Sequence, residues 1–463
     1  MKNTRYPDSA SFLVTENCNL ACKYCFEKHN KKVMSKEVIH RGLELLCDGA
    51  KRQGRDSFHA MIFGGEPLLH PHLVEEILKY GLELQRRNNI NFTASLITNA
   101  TIMNDEIFRI LLEYRDKVDL STQLSVDGIK KVHDMYRVTK DGKGSFQLIE
   151  DNIEKFKQIY KNRSGMLTVH GVVNKKALPY LFESYRYFKE EWGFNEIWFM
   201  PLHEDDWTIE DIDIYRKELN KIADYIIEDA KKGKMKTFKG YSPINRCFEK
   251  QRPSAPCGAG KGFISITADG SIYPCHHFYF NHKELKIGNV WKGIDDSKRR
   301  IYLDYESSDM TCPNNCDHVN CYRCIAVNYD VNGSILSQVR GNYCKLSRVD
   351  REVQLRVKRE IEKIEKKNPK ENRKDQGTFI ESWTEDGMYY ERYRNSDGSE
   401  SVYDRQLRNR DKEVNKNSDD KECDHNKGEC QCGSKEEDME TLAMALKMII
   451  EKLNTLEKNI PKK

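Results

Sequence analysis

The chain has 463 residues, enough for a catalytic domain and at least one further unit, and its 77 basic and 73 acidic side chains leave a net charge of only +4. That balance offers no case for a nucleic-acid-binding surface, and a mean hydropathy of -0.77 with no apolar run of about 18 residues leaves no expected membrane partner. The opening MKNTRYPDSASF lacks the apolar core of a secretion signal, so the expectation is a soluble cytoplasmic protein whose 15 cysteines bind metal rather than pair as disulfides.

Strand and helix signals alternate from Ser9 to about Leu202. The strand candidates are SASFLVT, HAMIFGGE, TASLITNA, STQLSVDG, MLTVHGVVN and NEIWFMP, separated by amphipathic stretches such as Val38 to Leu46 and Leu73 to Leu84. Six strands with intervening helices predict a parallel sheet covered on both faces. Closed or partly closed into a barrel, such a sheet places chemistry at the C-terminal ends of its strands. Cys47 falls within the apolar pattern of the first helix and reads as a buried structural residue.

Directly after the first strand stands TENCNLACKYCFE, in which three residues separate Cys18 from Cys22 and two separate Cys22 from Cys25. Three thiolates on one loop can hold three corners of a [4Fe-4S] cube and leave the fourth iron open to chemistry. Zinc is the competing reading; it needs a fourth ligand, for which His29 is a candidate. Tyr24 inside the last spacer and the strand just before the loop favour the cube. The second strand runs into Gly64-Gly65-Glu66-Pro67, a weak signal in itself because glycines after strands are commonly turns. The third strand ends in Thr98-Asn99 and the fourth in Ser125-Val126-Asp127-Gly128, followed by Arg137 in HDMYRVTKDGKGSF. Taken alone, Asp127-Gly128 reads as a turn and Arg137 as part of a solvated face.

The charged helix from Trp207 to Lys236 marks the expected end of the first domain, 1–236. The second, 237–350, carries Cys247, Cys257, Cys275, Cys312, Cys316, Cys321, Cys324 and Cys344. A strand, an Asp-Gly turn and another strand put Cys257 and Cys275 at the two ends of a hairpin. By ligand type alone, a pair of zinc ribbons is an alternative for this array. Val349, Val353, Val357, Ile361 and Ile364 recur at helical spacing, so a charged helix is expected to close the domain through 351–374. Aromatics and Asp-Gly turns between Thr378 and Tyr403 predict a small hairpin within 375–410. From Asp411 to Glu440 there are 11 acidic and 5 basic residues, the composition of a disordered linker (411–438). Cys423, Cys430 and Cys432 lie in it, as metal ligands, as thiols for exchange with a substrate, or as part of a plain tail. The last segment, 439–463, repeats apolar residues from Met439 to Ile460 as an amphipathic helix.

The three-cysteine loop, the Gly-Gly-Glu-Pro turn and the second cysteine array together resemble the radical S-adenosylmethionine (radical SAM) superfamily and its SPASM subgroup. The resemblance implies an α/β fold: a partial (β/α)6 TIM-like barrel, then a small cysteine-rich domain, then a largely disordered tail ending in a helix. It implies that Cys18, Cys22 and Cys25 carry the catalytic cluster and that Tyr24 lies against the adenine of S-adenosyl-L-methionine. Gly64, Gly65 and Glu66 would approach its methionine moiety, Glu66 facing the ammonium. Asn99, Ser125 and Asp127 belong to the same cofactor site, with a hydroxyl against the ribose, and Arg137 resembles an arginine that reaches the carboxylate. Two auxiliary [4Fe-4S] clusters would bring the total to three, one held by Cys312, Cys316, Cys321 and Cys344, the other by Cys257, Cys275 and Cys324 with Cys247 as fourth ligand.

The array departs from the subgroup in two respects. Its quartet has spacers of three, four and two residues rather than two, five and three. His276 also stands where sulfatase-maturing members have an aspartate base directly after the hairpin cysteine. The implied activity is cleavage of S-adenosylmethionine to a 5′-deoxyadenosyl radical that modifies a ribosomal precursor peptide. Thioether links between cysteine sulfur and a carbon of another residue are the expected product. Formylglycine formation on a sulfatase and a non-enzymatic zinc-ribbon protein are the alternatives. Expected partners are the cysteine-containing precursor and a one-electron reductant such as flavodoxin or ferredoxin. With about ten residues ahead of the first strand, leader recognition is expected after Cys344, in the Thr378 to Tyr403 patch or the final helix.

Overall fold

The computed structural model describes residues 6–163, 165–233, 257–304, 324–337, 341–367, 378–385, 388–394 and 400–406. The expected domain limits near 236, the acidic linker, the final helix, Cys247, Cys312, Cys316, Cys321, Cys423, Cys430 and Cys432 lie outside the described residues.

All six expected strands form, as β1 (Ser9–Thr15), β2 (Ser57–Gly64), β3 (Asn91–Thr98), β4 (Leu120–Ser125), β5 (Leu167–Val173) and β6 (Ile197–Pro201). Between and after them run α1 (Lys36–Arg52), α2 (Pro71–Asn88), α3 (Asp105–Tyr114), α4 (Lys130–Tyr136), α5 (Phe146–Ile159), α6 (Leu181–Glu190) and α7 (Ile209–Lys231). The helix starts follow local chemistry. Ser35 and Asn104 accept the backbone N–H groups of Val38 and Ile107, and Thr208 forms a reciprocal capping box with Asp211.

Burial along β2 alternates strictly: Phe58, Ala60 and Ile62 are buried with the helices, while His59, Met61 and Phe63 are only half-buried. The same period holds on β3 and β4. One face of the sheet therefore packs under helices in the main core and the other is an open, partly polar hollow, as in a barrel that does not close. His59 bridges Thr93 and Ser95 in that hollow at 2.8 and 3.0 Å.

The sheet continues where the sequence suggested a separate domain. Its order is β10-β9-β8-β7-β1-β2-β3-β4-β5-β6. Here β7 (Phe263–Ile266) and β8 (Ser271–Tyr273) are the expected hairpin, followed by α8 (His276–Asn281), β9 (Gly288–Asn289), β10 (Gly293–Ile294), α9 (Asp296–Asp304) and α10 (Ile325–Asn332). Strand β7 lies parallel to β1, with Phe12 opposite Ile266 and the Ser11 and Ser265 hydroxyls bonded at 2.9 Å. The cysteine-rich hairpin is thus docked directly on the strand that leads into the first cysteine loop.

Helix α11 (Asn342–Lys367) carries the expected apolar stripe: Val349, Val353, Val357 and Ile361 are buried. It packs along α7, where Tyr215 donates to Asp350 at 2.7 Å. Residues 1–368 form one compact unit. In the other unit, β11 (Thr378–Glu385), β12 (Met388–Arg394) and β13 (Glu400–Gln406) form an antiparallel three-stranded sheet, one strand more than the expected hairpin. Among the described residues, no helix is long and apolar enough to cross a membrane.

Candidate active site

The loop after β1 is held from two sides. On one, Ala21 N–H donates to Val138 O at 2.7 Å and Lys23 N–H to Tyr136 O at 2.9 Å, so the segment after α4 braces the cysteines. On the other, Gly65 N–H donates to Thr15 O and Glu66 N–H to Asn17 O, both at 2.9 Å. The two glycines are required by this contact. A Cβ on Gly64 would stand 2.4 Å from Thr15 O at a φ of +123°, and one on Gly65 would stand 2.3 Å from Asn17 O. The close approach that the glycines permit is therefore first of all to the cysteine loop itself.

Glu66 is fully buried at the centre of this join. Its Oε1 accepts from Leu68 N–H at 3.0 Å and Thr98 Oγ1 at 2.8 Å, and its Oε2 accepts from Asn99 N–H at 2.7 Å. Burial nevertheless pushes its pKa up to about 7. Of about four lone-pair sites on a carboxylate, three are committed to the turn and to the end of β3. Asn99 continues the chain of contacts, with its Nδ2 donating to Asn19 Oδ1 at 2.8 Å and to Cys18 Sγ at 3.8 Å.

A second knot lies across the strand ends. Tyr24 Oη donates to Asp127 Oδ2 at 2.5 Å, and Asp127 Oδ1 accepts from Arg137 Nε at 2.9 Å and Val172 N–H at 3.0 Å. The Arg137 guanidinium also lies 5.5 Å from the centre of the Tyr24 ring. Asp127 is no bare turn and Arg137 no solvated side chain; their side chains are 0% and 12% exposed. Ser125, half-buried at the end of β4, pairs with His170 on β5.

Burial pushes the Cys18 thiol up to about 12 and raises that of Cys22, on which the positive Arg137 acts in the opposite direction. Such thiols become thiolates when a strong cationic centre meets them. Cys18 lies within electrostatic reach of both Cys22 and Cys25. Among the described residues, no three His, Cys, Asp or Glu side chains are grouped as ligands of a single metal ion. A cube takes each thiolate at a separate iron, and three thiols on one loop suit it.

Cys257, Cys275 and Cys324 likewise come within electrostatic reach of one another. Cys275 and Cys324 stand at the N-caps of α8 and α10 without a side-chain capping bond, and burial raises both thiols, that of Cys275 to about 12. Asp330 on α10 accepts from His277 and from His282, the latter at 2.5 Å, and so ties α10 to the segment of α8. Cys344 stands at the start of α11, where the neighbouring Tyr343 ring stacks on His203 beyond β6 at 4.2 Å.

Aromatic rings join the two thiol groups. Phe26, next to Cys25, stacks on His276 at 6.0 Å and contacts His277 at 5.3 Å, while Phe63 on β2 meets His276 at 4.6 Å. The buried Nδ1 of His276 has no partner among the described residues, and burial lowers the pKa of the ring to about 4, so it is neutral. In the sequence His276 stands out only as a departure from the family, and Phe26, Phe63, His277, His282 and Asp330 do not stand out as site residues. Only the His-His pair beside a site cysteine signalled them.

A partial parallel barrel with a three-thiol loop after its first strand and a buried acid after its second defines a cluster-dependent radical enzyme. The chain belongs to the radical SAM superfamily, whose sequence profile matches residues 12–184. It is 29% identical over 293 residues to a cysteine-type anaerobic sulfatase-maturating enzyme of Clostridium novyi, covering 60% of this chain and 74% of that one. It is 25% identical over 339 residues to the antilisterial bacteriocin subtilosin biosynthesis protein AlbA of Bacillus subtilis, covering 69% and 65%. The solved structure of anSMEcpe with bound AdoMet shares the fold, with a TM-score of 0.59 at 20% identity over 77% of this chain and 99% of that one.

Proposed function

We propose that this protein is a radical SAM maturase that forms thioether links between cysteine sulfur and a carbon of another residue in a ribosomal precursor peptide. The observation that carries the reading is the run of ring contacts Phe26–His276–Phe63 between the first thiol loop and a second thiol group. On this reading it would bring the place where a radical is made next to the place where sulfur is handled. The likeness to AlbA supports a peptide substrate.

Cys18, Cys22 and Cys25 would hold one [4Fe-4S] cluster, which with S-adenosylmethionine supplies a carbon radical able to take an unactivated hydrogen. The remaining lone pair of Glu66 would accept from an ammonium, whose charge would offset the cost of burying the carboxylate. Arg137, its Nε bonded to Asp127, would reach the carboxylate of the cofactor, and Ser125 would meet a ribose hydroxyl. Tyr24 braces Asp127 while its ring closes the loop over the site. Cys257, Cys275 and Cys324, with Cys247, would hold an auxiliary cluster that supplies an electron acceptor or a sulfur-binding iron. Cys344, with Cys312, Cys316 and Cys321, would hold the other.

Joining S–H and C–H into S–C removes two hydrogens, one as an atom taken by the radical and one as a proton and an electron. His276, neutral and ring-stacked, presents no carboxylate base, which favours this reading over formylglycine formation. The likeness to the Clostridium novyi enzyme keeps that second reading in place. Anaerobic co-expression with a cysteine-containing precursor distinguishes the two by mass. A thioether lacks two hydrogens per link and one alkylatable thiol, whereas formylglycine has lost its sulfur; an unmodified peptide overturns both.

Among the described residues, no further strand pairs with either edge of the three-stranded sheet β11–β13, the form to which an extended leader adds as a strand. Truncation after Lys374 is expected to weaken precursor binding, and unchanged affinity sinks this part of the reading.

A further inference from the structure

Tyr302, on α9, is among the largest side chains buried outright, at 1% exposure. Its ring is wedged between the two segments that present Cys257 and Cys275. A Cβ on Gly260, three residues after Cys257, would stand 2.5 Å from Tyr302 Cγ. Phe278, three residues after Cys275, meets the ring edge-on at 5.9 Å. The same Gly260 N–H bonds Phe263 O at 2.8 Å and Pro274 O at 3.1 Å, which closes the hairpin base around the ring. A phenylalanine would fill this wedge as well.

The hydroxyl is what needs explaining. It is buried, it finds no hydrogen-bond partner among the described residues, and of the ionisable groups around it Cys275 acts on it most strongly. A phenol sealed from water without an acceptor destabilises the fold. Thiolate and sulfide sulfurs held at Cys257, Cys275 and Cys324 would be such acceptors, and hydrogen bonds to cluster sulfurs raise the reduction potential by favouring the more negative reduced state.

We propose that the Tyr302 hydroxyl donates a hydrogen bond to a sulfur of the iron–sulfur cluster at Cys257, Cys275 and Cys324 and thereby holds its potential up. Tyr302 is a tuning residue for that cluster, and its role rests on the auxiliary-cluster reading above. The test uses the full chain carrying Cys18→Ala, Cys22→Ala and Cys25→Ala, so that only auxiliary clusters give signals. It is reconstituted anaerobically with iron and sulfide and titrated under paramagnetic resonance with and without Tyr302→Phe. The expected result is an unchanged iron and sulfide count with one cluster signal moved to a lower potential. In cluster-free protein the same substitution is expected to raise the unfolding midpoint, because it removes an unpaired buried hydroxyl, whereas in loaded protein it lowers it. Full iron with an unmoved potential overturns the assignment to Tyr302 alone. Absence of iron and sulfide from the parent chain overturns the auxiliary-cluster reading and this inference with it.

Discussion

The hydroxyl of Tyr24 reaches Asp127 across 103 residues of sequence and bonds it at 2.5 Å, which ties the cysteine loop to the end of the barrel's fourth strand. Asp127 is also the counter-ion of Arg137. Removing one member of a buried ion pair leaves the other charged and unpaired, at a cost of about 3–5 kcal/mol. Asp127→Ala is therefore expected to lower stability by that order in denaturant titrations of the iron-free protein. Tyr24→Phe, which leaves the ion pair intact, is expected to cost about 1 kcal/mol and to weaken S-adenosylmethionine binding instead. Equal losses from the two substitutions contradict this division of roles.

Glu66 predicts a pH dependence with a definite sign. Its pKa in the fold is about 7, against 4.5 for the free side chain, because burial outweighs its three hydrogen bonds. The folded state therefore binds the extra proton between these values, so the contribution of Glu66 to stability is largest below pH 4.5, falls as pH rises to about 7 and is flat above. The groups facing it are Thr98, Asn99 and, by charge, Cys18. The wild type minus Glu66→Gln difference in unfolding free energy is expected to decline by about 3 kcal/mol over that window. Adding S-adenosylmethionine is expected to shrink the decline, since a bound ammonium favours the carboxylate. A pH-independent difference refutes the assignment.

The strands and the first thiol loop were readable because they are local. Alternation in HAMIFGGE and STQLSVDG needs no distant partner to be seen, and Cys18, Cys22 and Cys25 sit within eight residues of one another. What was not readable is pairing at a distance. Nothing in FISI announces that Phe263–Ile266 lies parallel to β1 rather than in a domain of its own, since a mostly apolar tetrapeptide fits the edge of either sheet. Arg137 looked solvated because its neighbours in sequence are polar, and its burial comes from Asp127 and Tyr24 on other elements.

The Gly-Gly-Glu turn makes a steric prediction. Gly65 keeps an ordinary φ, so alanine is conformationally tolerable there, but its Cβ would press on Asn17 O and the Cys18 backbone nitrogen at 2.3 and 3.1 Å. Backbone atoms on both sides must move, and with them Cys18. Gly65→Ala is expected to fold with the auxiliary clusters in place and with about four fewer irons per chain. Iron analysis beside circular dichroism checks this, and full iron content with normal cofactor cleavage is the result that contradicts it.

Asp330 makes the complementary prediction for the second thiol group. It bonds His277 and His282 from one side and rides on α10, the helix capped by Cys324, from the other, so it fixes the separation of α8 and α10. Asp330→Ala removes both bonds together with a longer one from Asn281 Nδ2 at 3.4 Å, and the two helices are then held by apolar contacts such as Phe278 with Tyr329 at 6.0 Å. Auxiliary iron is expected to fall while Cys18, Cys22 and Cys25 still support cleavage of S-adenosylmethionine to deoxyadenosine. Asp330→Asn keeps one acceptor oxygen and adds a donor that a switched imidazole tautomer can accept, so it is expected to restore most of the iron. That rescue separates a clasp of defined geometry from a general need for negative charge. If the asparagine variant loses as much iron as the alanine variant, the charge of Asp330 and not its two hydrogen bonds holds the helices in place.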